Sequence, residues 1–193
     1  MGFTLALGAV GPQFTLKGVD GKMHSLSDYA DKKAVVVIVS CNHCPTVIQC
    51  EGRMVQIQKD YAGKGVQLVV INGNETDGHP TDGFDHMVSH AAEKGYNFPY
   101  LRDDTQEIVR AYGATRTPEV FLLGPDRKLA YHGRIDDSPD EATKVKRQDL
   151  RVALDEVLAG KPVSVPNTEP VGCTVKWWGK DPHWMPPDAC DLI

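Results

Sequence analysis

The chain alternates short apolar runs with amphipathic stripes. Residues 34–40 read AVVVIVS, β-branched or small throughout, the pattern of a strand covered on both faces. Over residues 45–62 the apolar period changes. Val47, Cys50, Met54, Ile57 and Tyr61 follow in steps of three and four, which places all five on one helix face. Gly63 and Gly65 close that helix, and residues 66–71, VQLVVI, form a second buried strand. Strand, helix and strand at this spacing predict a βαβ unit with parallel strands and a right-handed crossover.

Outside that unit the signals are shorter. Phe14-Thr-Leu-Lys and Lys22-Met-His-Ser flank an Asp20-Gly21 turn, which predicts an N-terminal hairpin. Residues 72–83, NGNETDGHPTDG, read as a long solvated polar loop. Lying after a parallel strand, the loop belongs at the strands' carboxyl edge, where it could form a rim that contacts substrate. Helices are expected near 84–94 and 106–112, with a short extended stretch at 98–101. Residues 119–123 and 128–132 make a hairpin around Gly124-Pro-Asp-Arg. A last helix over 145–158 stops at Gly160, before Pro162. Residues 161–193 hold six prolines, all three tryptophans and two cysteines. They read as an irregular tail packed on a domain spanning 1–160, with Trp177, Trp178 and Trp184 as packing anchors.

Composition narrows the function classes. The 193 residues suit one domain with an appended segment. With 21 basic against 26 acidic side chains, the formal charge of -5 gives no electrostatic reason to expect a nucleic acid or an anionic membrane as partner. The longest aliphatic run, residues 34–39, is far short of the roughly 20 residues that cross a bilayer. The first residues lack a basic start and a small-x-small cleavage site, so the expected location is cytoplasmic. Five cysteines stand at 41, 44, 50, 173 and 190. An odd and uneven set is no disulfide scaffold, and in a reducing compartment close spacing signals redox chemistry or metal binding.

The central motif is Ser40-Cys41-Asn42-His43-Cys44-Pro45, where a buried strand gives way to a helix. Backbone N–H groups and the helix dipole converge there and favour thiolate over thiol. Cysteines three apart lie one helical turn from each other, within disulfide reach, and His43 between them is a candidate modulator. Two other readings compete. Zinc could join Cys41 and Cys44 to Cys173, His183 or Cys190, although structural zinc pairs lie on knuckles. The thiols could also be inert. The strand–helix setting favours a redox dithiol with no metal and no organic cofactor. A second signal is Thr117-Pro118 at the head of a strand, where proline is tolerated because no ladder N–H is needed. On the residues alone this bond reads as trans.

Taken together, these features resemble the thioredoxin fold: an α/β domain with an N-terminal hairpin extension. Cys41-Asn-His-Cys-Pro, Arg116-Thr-Pro-Glu-Val-Phe, Tyr131-His-Gly-Arg-Ile-Asp-Asp and Gly172-Cys-Thr-Val-Lys-Trp are similar to a bacterial group of peroxiredoxin-like, thiol–disulfide isomerase/thioredoxin proteins. The resemblance covers about residues 8–178. It implies that Cys41 attacks a substrate disulfide and Cys44 resolves the mixed disulfide. It implies a cis Pro118 opposite the dithiol, with Thr117 offering its backbone to an extended substrate. The implied partners are a disulfide-containing protein or small thiol and an electron-donating reductase.

This sequence departs from thioredoxins, which carry Trp before the first cysteine and Gly-Pro between the two. Here those positions hold Ser40 and Asn42-His43. Peroxiredoxins carry Pro-x-x-x-Thr/Ser-x-x-Cys. Aligning that cysteine with Cys44 puts Val37 and Cys41 in place of the proline and the hydroxyl. A thiol-dependent peroxidase is therefore the alternative enzyme, and a non-catalytic binding protein that uses the tail as its interface is the alternative class. Cys50, on the apolar stripe, reads as a buried inert thiol. Cys173 is either a packing residue or a third redox thiol. Cys190 reads as free, and Arg134 as one half of a structural salt bridge.

Overall fold

The computed structural model describes residues 3–181 and Trp184. The run 34–40 is β3 (Ala34–Ser40), buried at every position, and it forms the middle of a mixed sheet. Its parallel neighbour is β4 (Val66–Asn72), in register from Ala34 opposite Val66 to Ser40 opposite Asn72. Helix α1 (Pro45–Tyr61) makes the crossover between them. Beyond β4 lie β5 (Tyr100–Arg102) and then the N-terminal hairpin of β1 (Thr15–Gly18) and β2 (Met23–Ser25). On the other side of β3 lie β7 (Glu119–Leu123), antiparallel to β3, and β8 (Leu129–Gly133), antiparallel to β7. The seven-stranded order is β2-β1-β5-β4-β3-β7-β8. This is the thioredoxin fold with the hairpin extension expected from the sequence.

Strand alternation divides the core in two. Val36, Ile38, Leu68, Val70 and Leu122 face the stripe of α1, joined by Met87 of α2 (Phe84–Lys94) and Leu150 and Leu154 of α4 (Asp149–Leu158). Val35, Val37, Val39, Val69, Ile71 and Phe121 face the opposite way. They pack with Val109 and Tyr112 of α3 (Glu107–Tyr112) and with Trp177 of the tail. All five stripe residues of α1 are buried, as their spacing requires. At about 1.5–3 kcal/mol for each fully buried large apolar side chain, these two layers dominate the stability of the sheet.

Two elements differ from the sequence reading. The last helix starts at Asp149, four residues later than the expected 145. The Asp137 carboxylate accepts the N–H groups of Lys146 (2.9 Å) and Arg147 (3.0 Å) and fixes that approach as a loop. The tail is not wholly irregular. Its β9 (Cys173–Thr174) pairs antiparallel with β6 (Arg116–Thr117), with Arg116 opposite Thr174 and Thr117 opposite Cys173. Among the described residues, no helix is long and apolar enough to cross a membrane.

Candidate active site

Because Ser40 and Asn72 end their strands in register, the residues that follow both emerge at one edge of the sheet. Cys41 follows Ser40, and Cys44 is the N-cap of α1. Pro45 occupies the first helical position, where its missing N–H removes no helix hydrogen bond. The two thiols lie side by side, and the Cys44 N–H donates to Cys41 Sγ at 3.4 Å. Opposite them stands β6. The Thr117–Pro118 peptide is cis; Thr117 Oγ1 lies 3.4 Å from Cys41 Sγ, and the Thr117 carbonyl lies 3.2 Å from Cys44 Sγ.

The thiols are electrostatically unequal. The Cys41 thiol beside Cys44 and the Cys173 N–H, 3.4 Å from Cys44 Sγ, both favour the charged form of that sulfur. Against burial, these donors pull the Cys44 thiol well below its ordinary value. The Thr117 carbonyl accepts from the thiol form and opposes the shift, but it is one acceptor against several donors. Burial, the hydrogen bond to Cys44 and the negative charge of Asp82 push Cys41 well above its ordinary value. The resemblance made Cys41 the attacking thiolate. Cys44 holds the helix-cap position and receives the Cys173 N–H, while the Cys44 N–H donates to Cys41 Sγ, so amides reach both sulfurs. Both residues are fully buried, at 0% exposure.

The loop after β4 is solvated over residues 75–81, as its composition suggests, but not at its two ends. Asn72, Asn74 and Asp82 are buried. The Asp82 carboxylate accepts from the Asn42 N–H (2.6 Å), Asn72 Nδ2 (3.2 Å), Asn74 Nδ2 (2.9 Å) and His43 Nδ1 (2.7 Å). Burial raises its pKa, but the bonds from His43, Asn42 and Asn74 outweigh burial and hold it below the ordinary carboxylate range. Tyr100 donates to Asn42 Oδ1 at 2.7 Å from below. Both residues between the cysteines are thus pinned. His43 is turned toward Asp82 and stacked on His79 at 4.8 Å, so its Nδ1 is held by a carboxylate. Cys41, His43 and Asp82 bring metal-type donor atoms within 4.8 Å of one another. With four hydrogen bonds already on Asp82, that carboxylate is a scaffold for the loop. It does not suit a ligand set.

A second buried acid shapes β6. Glu119 Oε2 accepts the N–H groups of Thr115 (2.7 Å) and Arg116 (2.8 Å), and Oε1 pairs with His132 Nε2 at 2.7 Å. Neither Asp82 nor Glu119 was singled out from the sequence. The available signal was a run of Asn and Asp directly after a parallel strand, and an acid inside an otherwise apolar strand.

The tail completes the site. Lys176 N–H donates to Asn74 Oδ1 (2.9 Å), and its carbonyl accepts from Gln106 Nε2 (2.7 Å). Gln106 Oε1 in turn accepts the Trp178 N–H at 2.9 Å. Trp177 is buried against Phe3 and Arg110, whereas Trp178 is largely exposed. These contacts seat Cys173 over Cys44. They also take the backbone edge of Thr117, which the resemblance assigned to an extended substrate; the protein's own tail pairs there. Gly172 makes the approach possible. At φ +151° it adopts a conformation that side chains disfavour, and a Cβ there would lie 2.0 Å from the Thr117 carbonyl oxygen. Cys41, Cys44, Thr117, Pro118 and Cys173 therefore converge. Cys50 stays on the helix stripe, its thiol pushed up to about 12 by burial, and Arg134 pairs with Asp149 at 2.8 Å. His183 and Cys190 lie outside the described residues.

A thioredoxin fold that sets two thiols at a helix start against a cis-proline segment defines a thioredoxin-like redox protein. The chain belongs to the Redoxin family, whose model matches residues 6–149. It is similar to the crystal structure of an uncharacterized conserved protein from Geobacillus kaustophilus, with 38% identity and a TM-score of 0.87, over 93% of this chain and 96% of that one. It is also similar to thiol-disulfide oxidoreductase ResA of Geobacillus thermodenitrificans, 26% identical over 128 residues, or 65% of this chain and 67% of the relative. Chloroplastic peroxiredoxin Q of Gentiana triflora is 29% identical over 123 residues, 63% of this chain and 51% of the relative, so the chain matches about half that protein's length.

Proposed function

We propose that this protein is a thiol–disulfide oxidoreductase whose Cys41-Asn42-His43-Cys44 dithiol exchanges with disulfides, Cys44 supplying the reacting thiolate. The observation that carries this reading is the N-cap position of Cys44, with the Cys173 N–H donating to its sulfur at 3.4 Å. Cys44 thiolate attacks one sulfur of a substrate disulfide. A mixed disulfide forms, and the other substrate sulfur leaves and takes up a proton. Cys41 then loses its proton and attacks Cys44 Sγ, which closes the Cys41–Cys44 disulfide and releases the second substrate thiol. Two electrons pass to the substrate, and a dithiol reductase returns them. The substrate is a protein or small-molecule disulfide, and the working compartment is the reducing cytoplasm.

Insulin-disulfide reduction driven by an external dithiol tests the reading. Cys44→Ser is expected to abolish turnover, and Cys41→Ser to lose the Cys41–Cys44 disulfide that closes the cycle. Turnover that survives Cys44→Ser would exclude this mechanism. One observation favours a second activity: Cys44 stands where the reacting peroxiredoxin cysteine aligns, and it is the readily ionised sulfur. Attack on a peroxide would give a sulfenic acid at Cys44 and release water or an alcohol. Condensation with Cys41 would then expel water. Peroxide consumption dependent on Cys44, in a protein inert toward insulin, supports that activity over disulfide exchange.

A further inference from the structure

We propose that Cys173 is a third redox thiol, which takes over the disulfide from Cys41 and carries it to the protein surface. The proposal rests on the dithiol reading above and extends it. Both Cys41 and Cys44 are fully buried, so Cys44 meets a substrate disulfide only when β9 lifts, and once β9 is reseated neither sulfur is open to an external thiol. Cys173 is only half-buried. It meets Cys44 through its backbone: its N–H donates to Cys44 Sγ at 3.4 Å, which sets its thiol beside the same sulfur. Cys44 thus has a thiol on either side, Cys41 from its own loop and Cys173 from the tail.

The tail is built to hold this contact. Antiparallel pairing of Thr117 with Cys173 fixes the strand register. Gly172 allows an approach to the Thr117 carbonyl that a side chain would block. Lys176 and Trp178 anchor the following residues to Asn74 and Gln106. A strand that served only to cover the dithiol would not need a cysteine at the position opposite Thr117. The segment sits as an extended substrate would sit, with a sulfur facing the reacting one.

The exchange needs no outside oxidant beyond the substrate disulfide already consumed. After Cys41–Cys44 has formed, the Cys173 thiol loses its proton and attacks Cys44 Sγ. The Cys44–Cys173 bond forms, the Cys41–Cys44 bond breaks, and Cys41 departs with the electron pair and takes up a proton. The Cys44 N–H and the Thr117 hydroxyl, each 3.4 Å from Cys41 Sγ, are placed to receive that departing sulfur. An external thiol then attacks the half-buried Cys173 sulfur, and a second resolves the mixed disulfide, which returns the protein to its reduced state.

Disulfide mapping tests the relay. The reduced full chain is treated with oxidised glutathione, quenched with N-ethylmaleimide and mapped by peptide mass spectrometry. The Cys41→Ser chain is expected to form a Cys44–Cys173 cross-link, which the Cys41→Ser/Cys173→Ser chain lacks. Cys173→Ser is expected to form Cys41–Cys44 normally, while its re-reduction by glutathione slows at least tenfold at an unchanged melting temperature. The relay is overturned if Cys41→Ser yields only glutathionylated Cys44 or a Cys44–Cys190 bond, or if Cys173→Ser is re-reduced at the wild-type rate. If wild-type protein forms no disulfide at Cys44 at all, the dithiol reading itself fails, a result separate from loss of the relay alone.

Discussion

The carboxylate of Asp82 accepts the backbone N–H of Asn42 at 2.6 Å, tying the loop after β4 to the residue that follows the first thiol. Replacing Asp82 with Asn keeps the shape but turns an amide NH2 toward donors. Buried N–H groups left without an acceptor cost about 1–3 kcal/mol each, so Asp82→Asn is expected to lose about 3 kcal/mol of stability in urea unfolding. It also removes the negative charge that raises Cys41, whose thiol should therefore ionise at lower pH. A variant of unchanged stability would show that the network does not hold the loop.

Glu119 does for β6 what Asp82 does for the dithiol loop. Its partner His132 is pushed down by burial, but the hydrogen bond and charge of Glu119 outweigh burial and raise its pKa. The sign follows. Stabilisation from protonated His132 is complete below the unfolded value of about 6.5 and fades as pH rises through the higher folded value. Glu119→Gln breaks a buried pair, for which about 3 kcal/mol is the expected loss. The difference in melting temperature between wild type and Glu119→Gln should be largest near pH 6 and shrink toward pH 9. A difference that does not change with pH would remove His132 from this account.

The long periodic segments were legible without coordinates. The stripe Val47, Cys50, Met54, Ile57, Tyr61 defined α1, and two β-branched runs defined the strands on either side, because burial imposes those periods directly. Cys41 and Cys44 were legible for the same reason: they fall where strand turns into helix. The buried acids were not. Asp82 sits in a loop whose composition is that of solvated turns, and only the tertiary structure brings Asn42, Asn72, Asn74 and His43 around it. The two-residue β9 was equally hidden, since Cys173 and Thr174 carry no alternation of their own and pair with Thr117 and Arg116, far away in the sequence. The Gly172-Cys173 pair hinted at it, with a glycine placed where a strand must approach another backbone closely.

Cys50 provides the internal contrast. It shares α1 with Cys44, but burial pushes its thiol up to about 12, and its sulfur lies 3.6 Å from the Pro139 carbonyl. Cys50→Ala is expected to leave disulfide exchange within twofold of wild type and to cost about 1 kcal/mol of packing. A tenfold loss of turnover without unfolding would give Cys50 a redox role.

Gly172→Ala tests whether the tail strand shields the dithiol. The added Cβ would lie 2.0 Å from the Thr117 carbonyl oxygen at a φ of +151°, so β9 must lift. Strain of this kind costs of order 1–3 kcal/mol. Alkylation of Cys44 by iodoacetamide should accelerate at least tenfold, and the fluorescence of the buried Trp177 should shift toward that of a solvated indole. Unchanged alkylation would mean that the dithiol reaches solvent by another route.

The ionisation of Cys44 is open to a direct test. Thiolate absorbs near 240 nm, and the donors around Cys44 Sγ place its transition well below the roughly 8.5 of a free cysteine. Reduced wild type should therefore show one thiolate at pH 7, and Cys44→Ser none. Cys41→Ala removes the strongest of those donors and should move the transition upward by more than about one unit, since each unit corresponds to about 1.4 kcal/mol and a hydrogen bond to an ion contributes about that much. Linkage sets the stability profile. A thiol whose folded pKa is depressed contributes stability above its unfolded value and loses it as pH falls through the folded one, so reduced wild type should gain stability over Cys44→Ser between that low midpoint and about pH 8.5. Above about pH 8.5 the buried Cys41, pushed the opposite way, should make the stability of wild type itself fall as pH rises, an effect shared by Cys44→Ser, which keeps Cys41. If the thiolate signal at pH 7 disappears with Cys41→Ser and persists in Cys44→Ser, the reacting sulfur is Cys41 and the order of attack and resolution is inverted.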